Sequence, residues 1–113
     1  MVGTNPAPVT AVLSAGNLIV DLERREALLD GRSVYLTYQE FEAMVFLLQR
    51  PDSVQSRERL CVQLWDSHGP SEVKRAAVLI SRLRRKQTGL EPYAIEAVAR
   101  RGYGLVKRAP PAA

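Results

Sequence analysis

Lys74, Arg75, Arg82, Arg84, Arg85 and Lys86 all fall in VKRAAVLISRLRRKQTG, residues 73 to 89, a stretch with no acidic side chain. Ammonium and guanidinium groups at this density hold phosphate: each is a charged donor to an anionic oxygen. A helix face that merely meets water mixes its signs, because Glu–Lys pairs four residues apart support the helix. Arg84, Arg85 and Lys86 near the C-terminal end suit the helix dipole. Lys74 and Arg75 in the first turn oppose it. That part of the bias needs a negative surface outside the helix. A second basic group follows in Arg100-Arg101-Gly102. Two guanidinium groups on a tight turn make an arm suited to a minor groove or to flanking phosphates, with Tyr103 beside them.

Other chemistries find no constellation. The single histidine, His68, lies in the breaker Asp66-Ser67-His68-Gly69-Pro70, with no nucleophile or second ligand patterned around it. Glu23 with Glu26, and Glu40 with Glu42, are accounted for by turn and cap chemistry. No G-x-x-x-x-G-K-[ST] loop or metal-ligand spacing is present. The one cysteine, Cys61, gives neither an internal disulfide nor a zinc cluster, and reads as a small buried apolar residue. The sequence therefore predicts a protein that is not an enzyme and takes no cofactor and no metal. No apolar run approaches the ~18 residues of a membrane span. The N-terminus MVGTNPAPVTAV lacks a basic region ahead of an apolar core. The expected location is the cytoplasm, in association with the nucleoid. An anionic membrane surface would call for aromatic anchors, and the basic stretch has none. RNA is a minor alternative, since Tyr103 is the one aromatic residue of the basic turn and single-strand readers stack bases on several.

Charge is unevenly distributed along the chain. Residues 1–73 carry 6 Arg against 10 Asp and Glu, whereas residues 74–113 carry 10 Lys and Arg against Glu91 and Glu96, for an overall +4. The second half needs a polyanionic partner, nucleic acid first.

The length of 113 residues suits one small domain. Residues 1–9, rich in Pro, Ala and Gly, read as a flexible start. Residues 10–107 read as the folded domain, and 108–113 as a flexible tail. Leu18-Ile19-Val20 and Ala27-Leu28-Leu29 read as strands about the polar turn Glu23-Arg24-Arg25. Asp30-Gly31 is a two-residue hairpin signal, with Val34-Tyr35-Leu36 returning and Thr10–Leu13 a further strand. Thr37 and Glu40 form a capping box. Phe41, Met44, Val45 and Leu48 then give the stripe of a central helix, which Pro51 and Asp52 end. Ser56 caps a shorter helix through Leu60, Cys61, Leu64 and Trp65. Ser71 is the expected cap of the basic helix, and Gly89 its left-handed stop. Seeded on Val73, the helical wheel puts Ala76, Ala77, Ile80, Leu83 and Gln87 toward the core and brings Arg84 onto the same stripe. Lys74, Arg75, Val78, Ser81, Arg82, Arg85 and Lys86 fall on the far side. Residues 95–106 form a hairpin. The predicted architecture is α+β, a winged helix-turn-helix: an antiparallel β-meander, three helices and a β-hairpin wing.

At this point the chain resembles the OmpR/PhoB-type winged-helix effector domain of bacterial response regulators. The resemblance runs over about residues 17–106. It rests on LIVDLERREALLDGRSVYLT, LTYQEFEAMVFLL, SRERLCVQLW, ISRLRRK and IEAVARRGYGL, in that order and at matching spacing. It implies a helix over residues 72–87 in the DNA major groove, with a wing at 98–105 on the minor groove or backbone. It implies that Lys74, Arg75, Ala77, Ser81 and Arg82 meet double-stranded DNA. Trp65 matches the family's tryptophan at the end of the second helix. Asp66, Ser67, His68 and Gly69 match a loop that in some members contacts RNA polymerase. Members often pair on half-sites about one DNA turn apart, so a homodimer on DNA is implied as well. The chain departs from the pattern twice. Where members often read V-D-V-H, Ala76-Ala77-Val78-Leu79 stands here. Where the wing often reads R-G-x-G-Y, Ala99-Arg100-Arg101-Gly102-Tyr103 stands. Both departures predict more reliance on phosphate contact and a weaker or different base preference than in a typical member. The expected function is a double-stranded DNA-binding transcriptional regulator. The competing expectation is an interaction module that docks on RNA polymerase or another regulator and binds DNA only weakly.

Overall fold

The structure, a computed structural model, describes residues 12–108. Its first third is a meander of four antiparallel strands in sequence order: β1 (Val12–Ala15), β2 (Leu18–Asp21), β3 (Glu26–Leu29) and β4 (Arg32–Val34). The β3–β4 turn is Asp30-Gly31, with φ of 53° and 78°. Two consecutive positive φ values are what a type I′ turn demands, and they match the twist of the paired strands. The register aligns Leu13, Val20, Ala27 and Val34 on one face. Val20, Ala27 and Leu18 are buried there, while Val12, Ser14 and Ile19 face outward. The expected strand at Thr10–Leu13 thus starts at Val12; Thr10, Ala11, the flexible start and residues 109–113 of the tail lie outside the described residues. The return strand ends at Val34, leaving Tyr35 exposed.

Three helices follow: α1 (Tyr38–Leu48), α2 (Arg57–Trp65) and α3 (Pro70–Lys86). A second sheet, of three strands, is completed by β6 (Tyr93–Val98) and β7 (Gly102–Lys107), with β5 (Val54–Gln55) on the other edge of β7. Helix α1 packs against α2, α3, β1 and β7 and sits at the centre. Its Phe41, Met44, Leu47 and Leu48 meet Leu60 and Cys61 of α2, Ala76, Ile80 and Leu83 of α3, and Leu105 of β7 in one buried cluster. Burial pushes the Cys61 thiol above its usual range, with Glu58 and Glu72 adding to the effect, so it stays protonated as a core residue.

Helix ends follow local chemistry, with two departures from expectation. Thr37 accepts from the Glu40 N–H and Glu40 accepts from the Thr37 N–H, a complete capping box. Ser56 caps α2 through the Arg59 N–H at 3.1 Å. Helix α3, however, begins at Pro70 with Gly69 as N-cap and no side-chain cap, so Ser71 is not the cap. Proline at the first position has no N–H to satisfy and a φ already set for helix, which lets the start move ahead of the serine. Gly89 is not a left-handed stop either: the chain leaves the helix at Gln87 (φ −110°, ψ 34°). The Gly89 carbonyl instead accepts from the Asn17 side chain at 2.8 Å, and Asn17 Oδ1 accepts from the Glu91 N–H. That asparagine ties the first hairpin to the end of α3.

The short β5 had no signal of its own. Its requirement shows in β7: a Cβ on Gly102 would overlap the Gln55 carbonyl oxygen, and one on Gly104 would lie 2.5 Å from that of Ser53. Two glycines therefore let a third strand close on the hairpin.

The most buried charge is Glu40, 2% exposed, whose Oε1 takes the Lys86 ammonium at 2.6 Å. Burial alone would raise its pKa. The Lys86 donor and the Thr37 N–H outweigh that, and the carboxyl lies below its ordinary 4.5. A depressed folded-state pKa gives stability that is complete above the unfolded value and lost as pH falls through the folded one. Urea unfolding should therefore show a midpoint that drops as pH falls through and below the ordinary glutamate value of 4.5. Glu40→Gln, which keeps the cap but not the charge, should cost ~1.5 kcal/mol near neutrality and flatten that drop. An unchanged acid limb in the variant would assign the pH dependence to other carboxylates.

Candidate nucleic-acid interface

The burial pattern of α3 sets its orientation. Ala76, Leu79, Ile80, Leu83 and Gln87 are buried, at spacings of three and four. The centre of the inner face is thus displaced from Val73, which is only half-buried. A wheel seeded there turns Ala77 and Arg84 toward the core, whereas both are exposed, and gives no side to Leu79, which is buried. At about 100° per residue, the line opposite the core runs through Lys74, Val78, Ser81 and Arg85. All four are exposed. Arg75 and Arg82 flank the line on one side, Ala77 and Arg84 on the other.

Electrostatics of this face answer whether the cations are spent internally. Ion pairs among the described residues join Arg25 to Glu42, Lys86 to Glu40 and Arg108 to Glu96. Lys74, Arg82, Arg84 and Arg85 form none among the described residues, and neither do Arg100 and Arg101. Lys86 is the exception. Its position lies closer to the core than to the outer line, and its amine turns inward to Glu40, with the Tyr35 ring 5.0 Å away. It is removed from the outward-facing set that the sequence proposed.

Arg75 has a different neighbour. Its guanidinium stacks over the Trp65 ring at 4.5 Å from the centroid. The two border a cleft of about 300 Å³ lined also by Gln39, Lys74, Val78, Leu79 and Arg82. The N-terminal turn of α1, the last turn of α2 and the exposed face of α3 therefore meet at one place. Gln39 was missed from the sequence, and nothing at its own position marks it: it becomes part of the site only because α1 starts beside α3.

The loop before α3 is built by two caps. Asp66 takes a left-handed φ of 56° and its N–H returns to the Val62 carbonyl at 2.8 Å, ending α2. Asp66, Ser67 and His68 are exposed, while Gly69 is half-buried as the N-cap of α3.

In the wing, Ala99, Arg100 and Arg101 form the turn, closed by the Arg101 N–H to the Val98 carbonyl at 3.0 Å. All three are exposed. Tyr103 is not: it is 8% exposed and belongs to the core cluster, and burial pushes its phenol above the usual range. Its ring faces inward because alternate residues of a strand take opposite sides, and β7 turns that side toward the helices. The structure thus moves Tyr103 from a contact residue to a core residue.

With this geometry in place, comparison with known proteins is decisive. Residues 31–105 match the family described as "Transcriptional regulatory protein, C terminal". The chain belongs to this family, the OmpR/PhoB-type DNA-binding domains. It is 33% identical over 103 residues to the two-component response regulator PhoP of Pseudomonas aeruginosa, covering 88% of this chain and 45% of the relative. It is 30% identical over 91 residues to the transcriptional regulatory protein ResD of Bacillus subtilis, covering 80% and 38%. The chain spans less than half the length of these relatives. Among solved structures, it is similar to the Klebsiella pneumoniae RstA DNA-binding domain in complex with the RstA box (TM-score 0.75, 29% identity, 84% of this chain and 96% of that one). It is similar also to the DNA-binding domain of CpxR from E. coli (TM-score 0.73, 29% identity, 91% and 100%). The winged-helix architecture read from the sequence is the one found.

One backbone feature separates charge from fold. Arg100 has φ 66°, a conformation that costs a non-glycine residue about 1 kcal/mol. Arg100→Gly should leave the melting temperature unchanged or raise it, and yet elute from heparin at lower salt. A lower melting temperature with unaltered elution would mean that this arginine serves the turn and not a polyanion.

Proposed function

We propose that this chain is the DNA-binding effector domain of a bacterial response regulator, and that it recognises specific double-stranded sites to control transcription. The observation that carries the reading is the outward line of α3: an exposed, cationic face whose Lys74, Arg82 and Arg85 form no ion pair among the described residues. The RstA domain, of the same fold, was solved on its DNA box. The reading as a docking module with only weak DNA affinity is not favoured by these relatives.

In this reading α3 enters the major groove. Lys74, Arg82 and Arg85 hold phosphates, with Ala77, Val78 and Ser81 near base edges. Gln39 and the Trp65–Arg75 pair border the same cleft and meet the backbone at the groove's rim. Arg100 and Arg101 extend contact to the next minor groove or its phosphates. The exposed Asp66-Ser67-His68 segment is proposed as a surface for RNA polymerase, with Gly69 confined to capping α3. Two copies on half-sites about one DNA turn apart are proposed as the bound form. Among the described residues no helix is long and apolar enough to cross a membrane, and no group of three His, Cys, Asp or Glu is placed to hold a metal ion. A nucleoid location accompanies the DNA reading.

The test is duplex binding by fluorescence anisotropy across a salt series. Five cations, Lys74, Arg82, Arg85, Arg100 and Arg101, each neutralising one phosphate, give log K against log[salt] a slope of roughly −4 to −5. Arg82→Glu with Arg85→Glu should abolish binding and leave the circular dichroism spectrum and melting unchanged. Equal affinity in the double variant would remove α3 from the interface.

A further inference from the structure

Val78 is the one large apolar side chain exposed on α3, at 51%. A single exposed valine is ordinary on a protein surface. This one is not at the margin: it stands on the line opposite the core, between Lys74 and Ser81, and borders the cleft with Trp65, Arg75 and Arg82. When cations on either side of it grip a phosphate backbone, Val78 is driven against whatever lies between the strands. With Lys74, Arg82 and Arg85 on phosphates, as proposed above, Ser81 is the polar side chain left beside it to read a base edge. Leu79 is buried, Ala77 carries a methyl alone, Arg75 is held over Trp65 and Lys86 over Glu40.

An isopropyl group pressed on a major-groove edge discriminates by what it leaves unsatisfied. Against guanine it covers O6 and N7, and against cytosine the N4 amine, without returning a hydrogen bond, and each orphaned polar group costs free energy. Thymine alone offers an apolar C5 methyl in that groove.

Resting on the DNA-binding reading above, we infer that Val78 is a specificity-determining residue that selects thymine by contact with its C5 methyl group. Ala77 completes the apolar patch, and Ser81, able to donate or accept, is neutral to the neighbouring base. Arg75 is a positioning residue in this arrangement: its stack on Trp65 keeps a guanidinium fork off the base edges that Val78 covers. The domain then draws its affinity from phosphates and its sequence preference from methyl groups.

The experiment begins with selection of bound duplexes from a random library by the 113-residue chain. Each thymine in the selected site is replaced in turn by deoxyuridine, which removes the methyl and nothing else. The same duplexes are then titrated with Val78→Ala, whose exposed position leaves the fold intact. The wild-type chain should lose about fourfold in affinity at one or two thymines, the worth of a buried methyl group of ~0.8 kcal/mol. Val78→Ala should bind the thymine duplex about fourfold more weakly and be indifferent to uracil at those positions, so that the two changes are not additive. The inference is overturned if uracil is tolerated everywhere by the wild-type chain, if the selected site holds no thymine, or if Val78→Ala loses as much on uracil as the parent does. In those cases duplex binding itself stands. Failure to select or bind any duplex overturns the DNA reading along with it.

Discussion

The orientation of α3 rests on one polar junction. Glu40, on the first turn of α1, closes the capping box with Thr37 and at the same time takes the Lys86 ammonium at 2.6 Å. A carboxylate this deeply buried is costly unless it is paired and hydrogen-bonded, and here a backbone N–H and an ammonium both donate to its Oε1. The pair joins the beginning of the central helix to the last turn of α3. Leu83 and Ile80 then fix the apolar contact between the same helices. A helix pinned at its C-terminal end by an ion pair, and along its length by a leucine and an isoleucine, has its rotation about its own axis settled. That rotation decides which side chains point outward. Without it, a basic helix is only a basic helix; with it, Lys74, Val78, Ser81 and Arg85 form one line.

The wing is held by a different constraint. A two-stranded ribbon is marginal in water. Here β7 is a central strand, because Val54-Gln55 pairs with its Tyr103 and Gly104. The pairing demands glycine at 102 and 104, where backbone oxygens of the partner strand occupy the space of a side chain. Tyr103, between them, drives its ring into the core. The same three residues therefore anchor the hairpin, and the turn at residues 99–101 is left to project two guanidinium groups. Strain at Arg100, where the family pattern often has glycine, is retained alongside the gain of a charge.

What was legible in the sequence was what is local. The capping box, the Ser56 cap, the Asp30-Gly31 turn and the order of elements each depend on residues within a few positions, and each is present. The cationic face was legible because charge segregation survives an error in the wheel. The wheel is seeded on Val73, the first apolar residue, whereas the centre of the buried face lies near Ala76 and Leu83. This is why Ala77 and Arg84 fall on the wrong side of it and Leu79 on neither. Lys86 and Tyr103 were misread for one reason: nothing near Lys86 reveals Glu40, 46 positions away, and nothing near Tyr103 reveals which face of β7 meets the helices. Gln39 and the Arg75–Trp65 stack were missed likewise, since they exist only where three helices converge.

These long-range contacts redistribute the work that residue types alone suggest. Counting cations in residues 73–89 gives six. The fold takes Lys86 for its own stability and lays Arg75 on an indole, while Arg84 faces away from the cleft that Lys74 and Arg82 border. Three cations then remain along and beside the outward line of the helix, and two more at the wing. Charge on phosphates cannot itself distinguish one duplex from another. The family's acidic and imidazole groups ahead of I-S-R-L-R are replaced here by alanine and by a buried leucine. In the proposed arrangement, with the cations on phosphates, sequence discrimination falls to the short uncharged side chains between them, or to the shape of the duplex that they grip. The packing of α3 places Ala77, Val78 and Ser81 there, and it is that packing, more than the number of arginines, that limits what the helix can read.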